Sequence, residues 1–224
     1  MKLNRAHSQK TRRQKSKHWF FCEGLSEKLY FEEVSRAKGF SIEACSKTNF
    51  NKPIQIFRDA DDEIKKRIKN REFLFLEPDG LQDYVWLVFD RDDNTDQELT
   101  ELTNKVAHLN KETQNKDISY WNILYSNPCF EFWYRLHFGD TARSYQSSRE
   151  CKEEIKTSRF LPGYKESISY FDRLGDEKLR IAIDAAKRLV ATYKGNQSLY
   201  VKESHPVSTV YEFFEFLDKQ STPN

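Results

Sequence analysis

Three groups of acidic side chains follow hydrophobic segments of the chain, each close to the point where its segment ends. Glu23 comes after the first segment, Asp90 and Asp92 come after the second, and Glu131 lies just beyond the third. Carboxylates crowded into one small space raise each other's pKa unless a cation is present. Hard oxygen donors select magnesium or manganese rather than zinc, and Asp-x-Asp on an extended segment directs both carboxylates to one side. The acids therefore predict a Mg²⁺ or Mn²⁺ site for phosphodiester chemistry.

Each acid taken alone also has a structural explanation. Residues 90–93 are typical of a polar loop that caps a helix, and Glu131 is spaced to pair with Arg135 one helical turn later. Glu23 by itself carries little information. The placement of all these acids at one edge of the fold is what favours a functional site.

Hydrophobic patterning predicts the elements that position the acids. The segment at 84–89 is continuously apolar, which is typical of a central strand covered on both faces. Further strands are predicted at 18–22, 40–47 and 119–125, and helices from a Ser26 cap to Gly39, at 53–71, around 99–109 and at 129–138. This alternation predicts an α/β fold with a mostly parallel sheet flanked by helices. Sites in such sheets form at the carboxyl ends of the strands, where the acids lie.

The strand signal fades beyond Gly139. Helical patterns dominate from there, at 149–157, 164–174, 176–193 and 207–217. We therefore divide the chain into a basic arm (1–17), an α/β catalytic core (18–138) and a helical C-terminal extension packed on that core (139–224).

Basic residues are concentrated at the start of the chain. Residues 1–18 contain seven Lys and Arg side chains and no acid, although the whole chain has 37 basic and 35 acidic residues. Such an arm is either a solvated terminus or a contact for nucleic-acid phosphate, in which case Arg12 and Arg13 are candidate contacts. Further phosphate-binding candidates lie near the acids, although each is more often a surface charge: Lys28, Arg91, Arg135 and His137.

Cysteine usage and hydropathy indicate the compartment. The four cysteines are widely spaced without a CxxC pair, which favours buried, reduced thiols over a zinc site or a disulfide framework. No stretch approaches the roughly 20 apolar residues of a membrane span. We expect a cytoplasmic protein with no membrane partner.

Four blocks, in order along the chain, resemble those of RloB-like proteins. Residues 20–31 (FFCEGLSEKLYF) resemble the opening CEGxxTExxYF, and residues 88–92 (VFDRD) resemble FDRD. Residues 126–133 (SNPCFEFW) resemble SNPxFExW, and residues 137–138 match the HF that closes this block. Leu25-Ser26 departs from the pattern, which affects the turn more than the acids.

This resemblance implies a fold, an activity and partners. RloB-like proteins are similar to the Toprim superfamily of topoisomerases, primases and nucleases, whose fold supplies a Glu after one strand and an Asp-x-Asp after another. By this resemblance Glu23 is a metal ligand or general acid/base, Asp90 and Asp92 hold magnesium, and Glu131 is catalytic. The implied protein is a Mg²⁺-dependent or Mn²⁺-dependent nuclease of prokaryotic antiphage defence that works beside an ATPase partner.

Two other functions stay open at this stage. One is a binding module for nucleic acid or a partner, with a vestigial metal site. The other is topoisomerase-type strand passage, which normally requires a nucleophilic tyrosine in a separate domain. The choice of DNA or RNA and the oligomeric state are also open. No Gly-x-x-x-x-Gly-Lys-Ser/Thr motif occurs in the chain, so an ATPase would be a separate subunit.

Overall fold

The computed structural model describes residues 15–46, 52–75, 81–91, 94–113, 120–141, 143–193 and 206–221. The strands are β1 (Lys17–Cys22), β2 (Ser41–Ser46), β3 (Tyr84–Asp90), β4 (Trp121–Asn127) and β5 (Val207–Ser208). The helices are α1 (Leu25–Lys38), α2 (Pro53–Lys69), α3 (Asp96–Thr113), α4 (Glu131–Leu136), α5 (Ser148–Ile155), α6 (Phe171–Tyr193) and α7 (Tyr211–Ser221).

The described strands form one sheet in the order β2-β1-β3-β4-β5, in which only β5 is antiparallel to its neighbour. All seven residues of β3 are buried, as its continuous apolar run predicts. Cys22 lies beside Val88 and Asp90 lies beside Ser126, so the carboxyl ends of three parallel strands meet at one edge. The predicted mostly parallel α/β sheet, with flanking helices and a helical C-terminal region, is confirmed and is consistent with a Toprim-like fold.

Helices cover both faces of the sheet. On one face Phe20 of β1 stacks on Phe31 of α1, and the ring of Phe213 of α7 meets Phe20 and Trp86 edge-on. On the opposite face α2 and α3 pack together, and Phe57 of α2 contacts Trp121 of β4. The C-terminal helix α7 is therefore part of the main core.

His18 is a buried polar residue within this aromatic packing. Its ring stacks on Tyr84, and its Nδ1 accepts a hydrogen bond of 3.1 Å from the indole N–H of Trp86. Burial lowers the pKa of His18 to about 4. The imidazole is therefore neutral at physiological pH and can serve as the acceptor for Trp86.

Three local predictions are wrong. Gly24, not Ser26, is the N-cap of α1, and Ser26 lies inside the helix, where its hydroxyl bonds to Tyr164. Residues 164–170 form no helix, since α6 begins at Phe171. The predicted helix at 207–217 opens with the short strand β5.

Cys22, Cys129 and Cys151 are buried, whereas Cys45 is exposed. Cys45 lies on β2, the last strand at one side of the sheet, and the expectation of burial is therefore wrong for this cysteine.

Among the described helices, none combines the length and the apolar character that crossing a membrane demands.

The neutral state of His18 makes stability depend on pH. Between pH about 6.5 and about 4, an unfolded chain binds a proton at His18 that the folded protein does not bind, so stability falls as the pH falls. His18→Asn removes this titration and keeps an acceptor for Trp86. When the pH is lowered from about 7.5 to about 5, the free energy of unfolding should fall by about 2 kcal/mol less in the variant than in the parent.

Denaturant unfolding at the two pH values measures this difference. His108→Asn, which replaces an exposed histidine of α3, is the matched control and should behave as the parent does. A parent-like loss of stability in His18→Asn would show that His18 does not titrate in this way.

Candidate active-site cleft

A cleft of about 240 Å³ lies where β1, β3 and the first turn of α1 meet. Its lining residues are Glu23, Gly24, Leu25, Ser26, Glu27, Asp90, Glu131, Lys152 and Glu166. Among these described residues five are acids and one is a lysine. The cleft therefore has the position and the excess of acidic groups that the sequence predicts for the site.

Glu23 and Asp90 are held together by the backbone. The N–H of Glu23 donates to the carbonyl of Val88 at 3.0 Å, which continues the pairing of β1 and β3 beyond the last residue of β1. The Glu23 carboxylate then accepts the backbone N–H of Asp90 at 3.1 Å. The side chain of Asn94 donates to the Asp90 carbonyl at 2.9 Å and holds the turn after β3. These contacts fix both predicted acids at one point of the sheet edge.

Glu27 is a cleft residue that sequence reasoning did not assign to the site. It lies in the first turn of α1 and is 4% exposed. Its carboxylate packs against Gly24, where a Cβ would lie only 2.6 Å from Glu27 Oε2, so this position requires glycine or a shift of the carboxylate. Burial, with the nearby charges of Glu131 and Glu23, raises the pKa of Glu27 to about 8. The signal for Glu27 lies in the opening block CEGxxTExxYF, whose second Glu is this residue.

Glu131 enters the cleft from the start of α4 and is 2% exposed. The hydroxyl of Tyr164 donates to Glu131 Oε1 at 2.6 Å, and Lys152 Nζ lies 3.9 Å from Oε2. Burial and the negative charge of Glu131 raise the pKa of Tyr164, so the tyrosine stays protonated and acts as a donor. Glu131 is thus oriented by two side chains from the C-terminal region.

Lys152 of α5 is the only base among the described residues that line the cleft. Its Nζ also lies 2.8 Å from Glu166 Oε1. Burial alone would lower the pKa of Lys152, but the negative charges of Glu131 and Glu166 more than offset this and raise it. Lys152 therefore remains a cation beside the acids. No local sequence pattern marks it, because α5 must fold back against α4 to bring it here.

The structure places two of the predicted phosphate-binding residues away from the surface. Arg135 is buried, donates to Glu154 at 2.9 Å and packs over the ring of Phe160. His137 is fully buried and its Nδ1 bonds to the carbonyl of Trp133 at 2.9 Å. The expectation that these two residues reach a phosphate is corrected: the aromatic helix that carries them is enclosed by α5 and α6.

Two other predicted bases are closer to the surface but outside the cleft lining. Arg91 forms an ion pair of 2.7 Å with Asp96 at the start of α3. Lys28 lies 3.5 Å from Glu32 one turn later on α1, with about a third of its side chain exposed. Arg12, Arg13 and Asp92 fall outside the described residues.

The cleft's donor chemistry fits a hard divalent cation. Carboxylate oxygens dominate the lining, and no His or Cys lines the described part of the cleft. Three buried carboxylates in one small space carry a desolvation and repulsion cost that a cation would offset. Within the described residues, however, no three His, Cys, Asp or Glu side chains already stand in a metal-binding arrangement. Any complete ligand set therefore needs Asp92 or a shift of the side chains.

The chain matches none of the curated proteins and none of the solved structures. The family model described as RloB-like protein matches residues 19–217, a span that contains every lining residue of the cleft. Because this match covers most of the chain, the protein belongs to the RloB-like family.

Proposed function

We propose that this protein is a Mg²⁺-dependent or Mn²⁺-dependent nuclease that hydrolyses phosphodiester bonds in the acidic cleft. One observation carries the proposal: Glu27, Asp90 and Glu131 are 4%, 7% and 2% exposed and share one small cleft with Glu23. Burying like charges together costs free energy, and such an arrangement is found where a cation or a reaction uses it. A fold that needed only stability would gain more from apolar residues at these positions.

Glu23 and Asp90, with Asp92 by its place in the sequence, are the residues that would hold the metal. A bound divalent ion would neutralise the phosphate and lower the pKa of an attacking water. Lys152 adds a fixed positive charge to the same cleft and would attract the phosphodiester.

Glu27 and Glu131 have different surroundings, and we therefore assign them different roles: Glu27 as a proton donor and Glu131 as an acceptor. With its raised pKa, Glu27 holds a proton near neutral pH in the metal-free protein and could deliver it to a leaving oxygen. Glu131 is oriented by the Tyr164 hydroxyl and lies near Lys152, so it is held as an acceptor.

Membership of the RloB-like family supports a wider setting for this activity. We place the nuclease in prokaryotic antiphage defence, in the cytoplasm, beside an ATPase subunit that controls it. The main alternative is a module that binds nucleic acid or a partner without cutting. The presence of Glu23, Asp90 and Glu131 in one cleft favours catalysis over this alternative.

Asp90→Ala and Asp92→Ala should abolish cleavage of labelled DNA or RNA in the presence of Mg²⁺ or Mn²⁺. The melting temperature of Asp90→Ala should equal or exceed that of the parent, because the loss of one carboxylate from the crowded cleft relieves repulsion. Asp184→Ala, at an exposed position of α6, is the matched control and should cleave as the parent does. Full activity in either cleft variant would refute the metal-site assignment.

Glu27→Gln should fold as the parent does but cleave more slowly, because the amide cannot transfer the proton. The raised pKa of Glu27 means that the parent loses stability relative to the variant as the pH rises from about 4.5 to about 8. Denaturant unfolding without metal, at about pH 4.5 and at about pH 8, tests whether the parent loses stability relative to the variant as the pH rises. A variant with unchanged turnover would remove Glu27 from the reaction.

Deleting residues 1–14 should weaken nucleic-acid binding and flatten its salt dependence, if Arg12 and Arg13 contact phosphate. This cut keeps the backbone N–H of Lys17, which donates to Asp83 at 2.8 Å and secures the start of β1. Each lost phosphate contact should reduce the log-log slope by about 0.9 on duplex DNA or about 0.7 on single strands. Equal slopes for both proteins would identify the arm as a solvated terminus.

A further inference from the structure

Tyr164 contacts Glu131 without lining the cleft itself. It is buried in the segment between α5 and α6, and its ring packs against the rings of Tyr134 and Tyr170, with centroid distances of 5.9 and 5.3 Å. Its backbone N–H donates to the carbonyl of Leu161 at 2.9 Å. Because both the ring and the backbone are held, the hydroxyl has a fixed position beside Glu131.

The hydrogen bonds around this hydroxyl have a definite direction. A phenol carries one proton, and Tyr164 donates it to Glu131 Oε1 at 2.6 Å. In the contact of 3.1 Å between Tyr164 and Ser26 Oγ, the serine must therefore be the donor. Another acceptor for Ser26, the carbonyl of Glu166, lies farther away at 3.4 Å. Ser26 thus donates to Tyr164 and Tyr164 donates to Glu131, and the first of these hydrogen bonds strengthens the second.

Ser26 fixes the start of this chain of hydrogen bonds. It is buried in the first turn of α1, the helix that also carries Glu27. Farther along the same helix, the Glu33 carboxylate accepts the backbone N–H of Phe171 at 3.0 Å, just beyond the segment that carries Tyr164. This segment is therefore bonded to α1 at two places, so Tyr164 has a constant position relative to that helix and to Glu27.

The two carboxylate oxygens of Glu131 consequently have different surroundings. Oε1 is taken up by the hydroxyl of Tyr164, which is not a lining residue. Oε2 lies 3.9 Å from Nζ of Lys152, which does line the cleft. That distance is longer than a hydrogen bond, so Lys152 balances the charge of Oε2 without occupying its lone pairs. Oε2 is therefore the oxygen on the cleft side that remains able to accept a proton.

We infer that Tyr164 is a positioning residue, which holds Oε1 of Glu131 so that Oε2 takes up the proton in the cleft. This inference rests on the proposed nuclease function and adds to it the residue that positions the proton acceptor. In the hydrolytic step Oε2 accepts a proton from the attacking water while the water oxygen bonds to phosphorus. The bond from phosphorus to the leaving oxygen breaks, and that oxygen keeps the electron pair and receives the proton of Glu27. Tyr164 keeps its own proton and touches neither the water nor the phosphate.

Cleavage kinetics of full-length Tyr164→Phe test the positioning role. The change removes only the hydroxyl, so the Glu131 carboxylate can rotate and kcat should fall about 10- to 100-fold. KM should change less than about twofold, because Tyr164 does not touch the substrate. Tyr84→Phe is the matched control and should cleave as the parent does. It removes a hydroxyl that bonds to Gln220 at 3.4 Å, at the end of β3 away from the cleft.

Ser26→Ala and Ser26→Thr provide a second comparison that does not depend on the folding of Tyr164→Phe. Ser26→Ala removes the donor to Tyr164, and kcat should fall about 3- to 10-fold, the smaller effect expected of a hydrogen bond between two neutral groups. Ser26→Thr keeps a hydroxyl and should restore kcat to within about twofold of the parent. Equal kcat values for Ser26→Ala and the parent would contradict the chain of hydrogen bonds.

Proton NMR spectroscopy of the metal-free protein tests the same contact without cleavage. A hydroxyl proton in a bond of 2.6 Å to a buried carboxylate is strongly hydrogen-bonded, so it should resonate downfield of the amide protons and exchange slowly with water. The resonance should be present in the parent and in Tyr84→Phe and absent from Tyr164→Phe.

Three results would overturn the inference: a parent spectrum without this resonance, a folded Tyr164→Phe protein with the kcat of the parent, or a loss in that variant confined to KM. A parent that does not cleave nucleic acid would contradict the proposed function instead. The resonance then reports separately on whether Tyr164 holds Glu131, so the two failures are distinguishable.

Discussion

Mutual repulsion among buried carboxylates is the constraint around which this protein is arranged. The edge of a parallel sheet brings Glu23 and Asp90 together, and α1 and α4 add Glu27 and Glu131. In the metal-free protein the cost is reduced in three ways. Burial and neighbouring charge raise the pKa of Glu27, so this carboxyl holds a proton and carries no charge near neutral pH. Lys152 supplies a positive charge near Glu131, and the Tyr164 hydroxyl donates a hydrogen bond to Glu131. Each of these three contributions comes from a different segment of the chain.

The surrounding packing gives those segments fixed positions. Aromatic rings of β1, β3, α1 and α7 interlock on one face of the sheet, with Phe20, Trp86 and Phe213 at the centre. Close-packed interiors of this kind have low compressibility, and aromatic pairs in edge-to-face contact have a defined geometry. The acids therefore stand on a rigid base, which is what an electrostatically preorganised site requires.

Sequence patterns predicted the parts of this arrangement that depend on local periodicity. The apolar run of β3 and the acid that follows it could be recognised directly, and so could the edge at which Glu23 and Asp90 meet. The placement of Lys152 and Tyr164 could not be predicted, because it depends on how α5 and the following loop fold back against α4. The same long-range packing explains the failure at Ser26, whose hydroxyl forms a tertiary contact instead of a cap. It also explains Arg135 and His137, since a helix that is aromatic on all sides is buried on all sides.

Glu131 belongs to the first part of the chain, but the two side chains that orient it come from residues 152 and 164. The helical C-terminal region is thus more than an appendage to the α/β core, because the cleft is complete only when both regions are folded together. A fragment that ended near residue 138 would leave a buried carboxylate without its hydrogen-bond donor and its counter-charge. The acidity of the site is therefore set jointly by two regions that lie far apart along the chain.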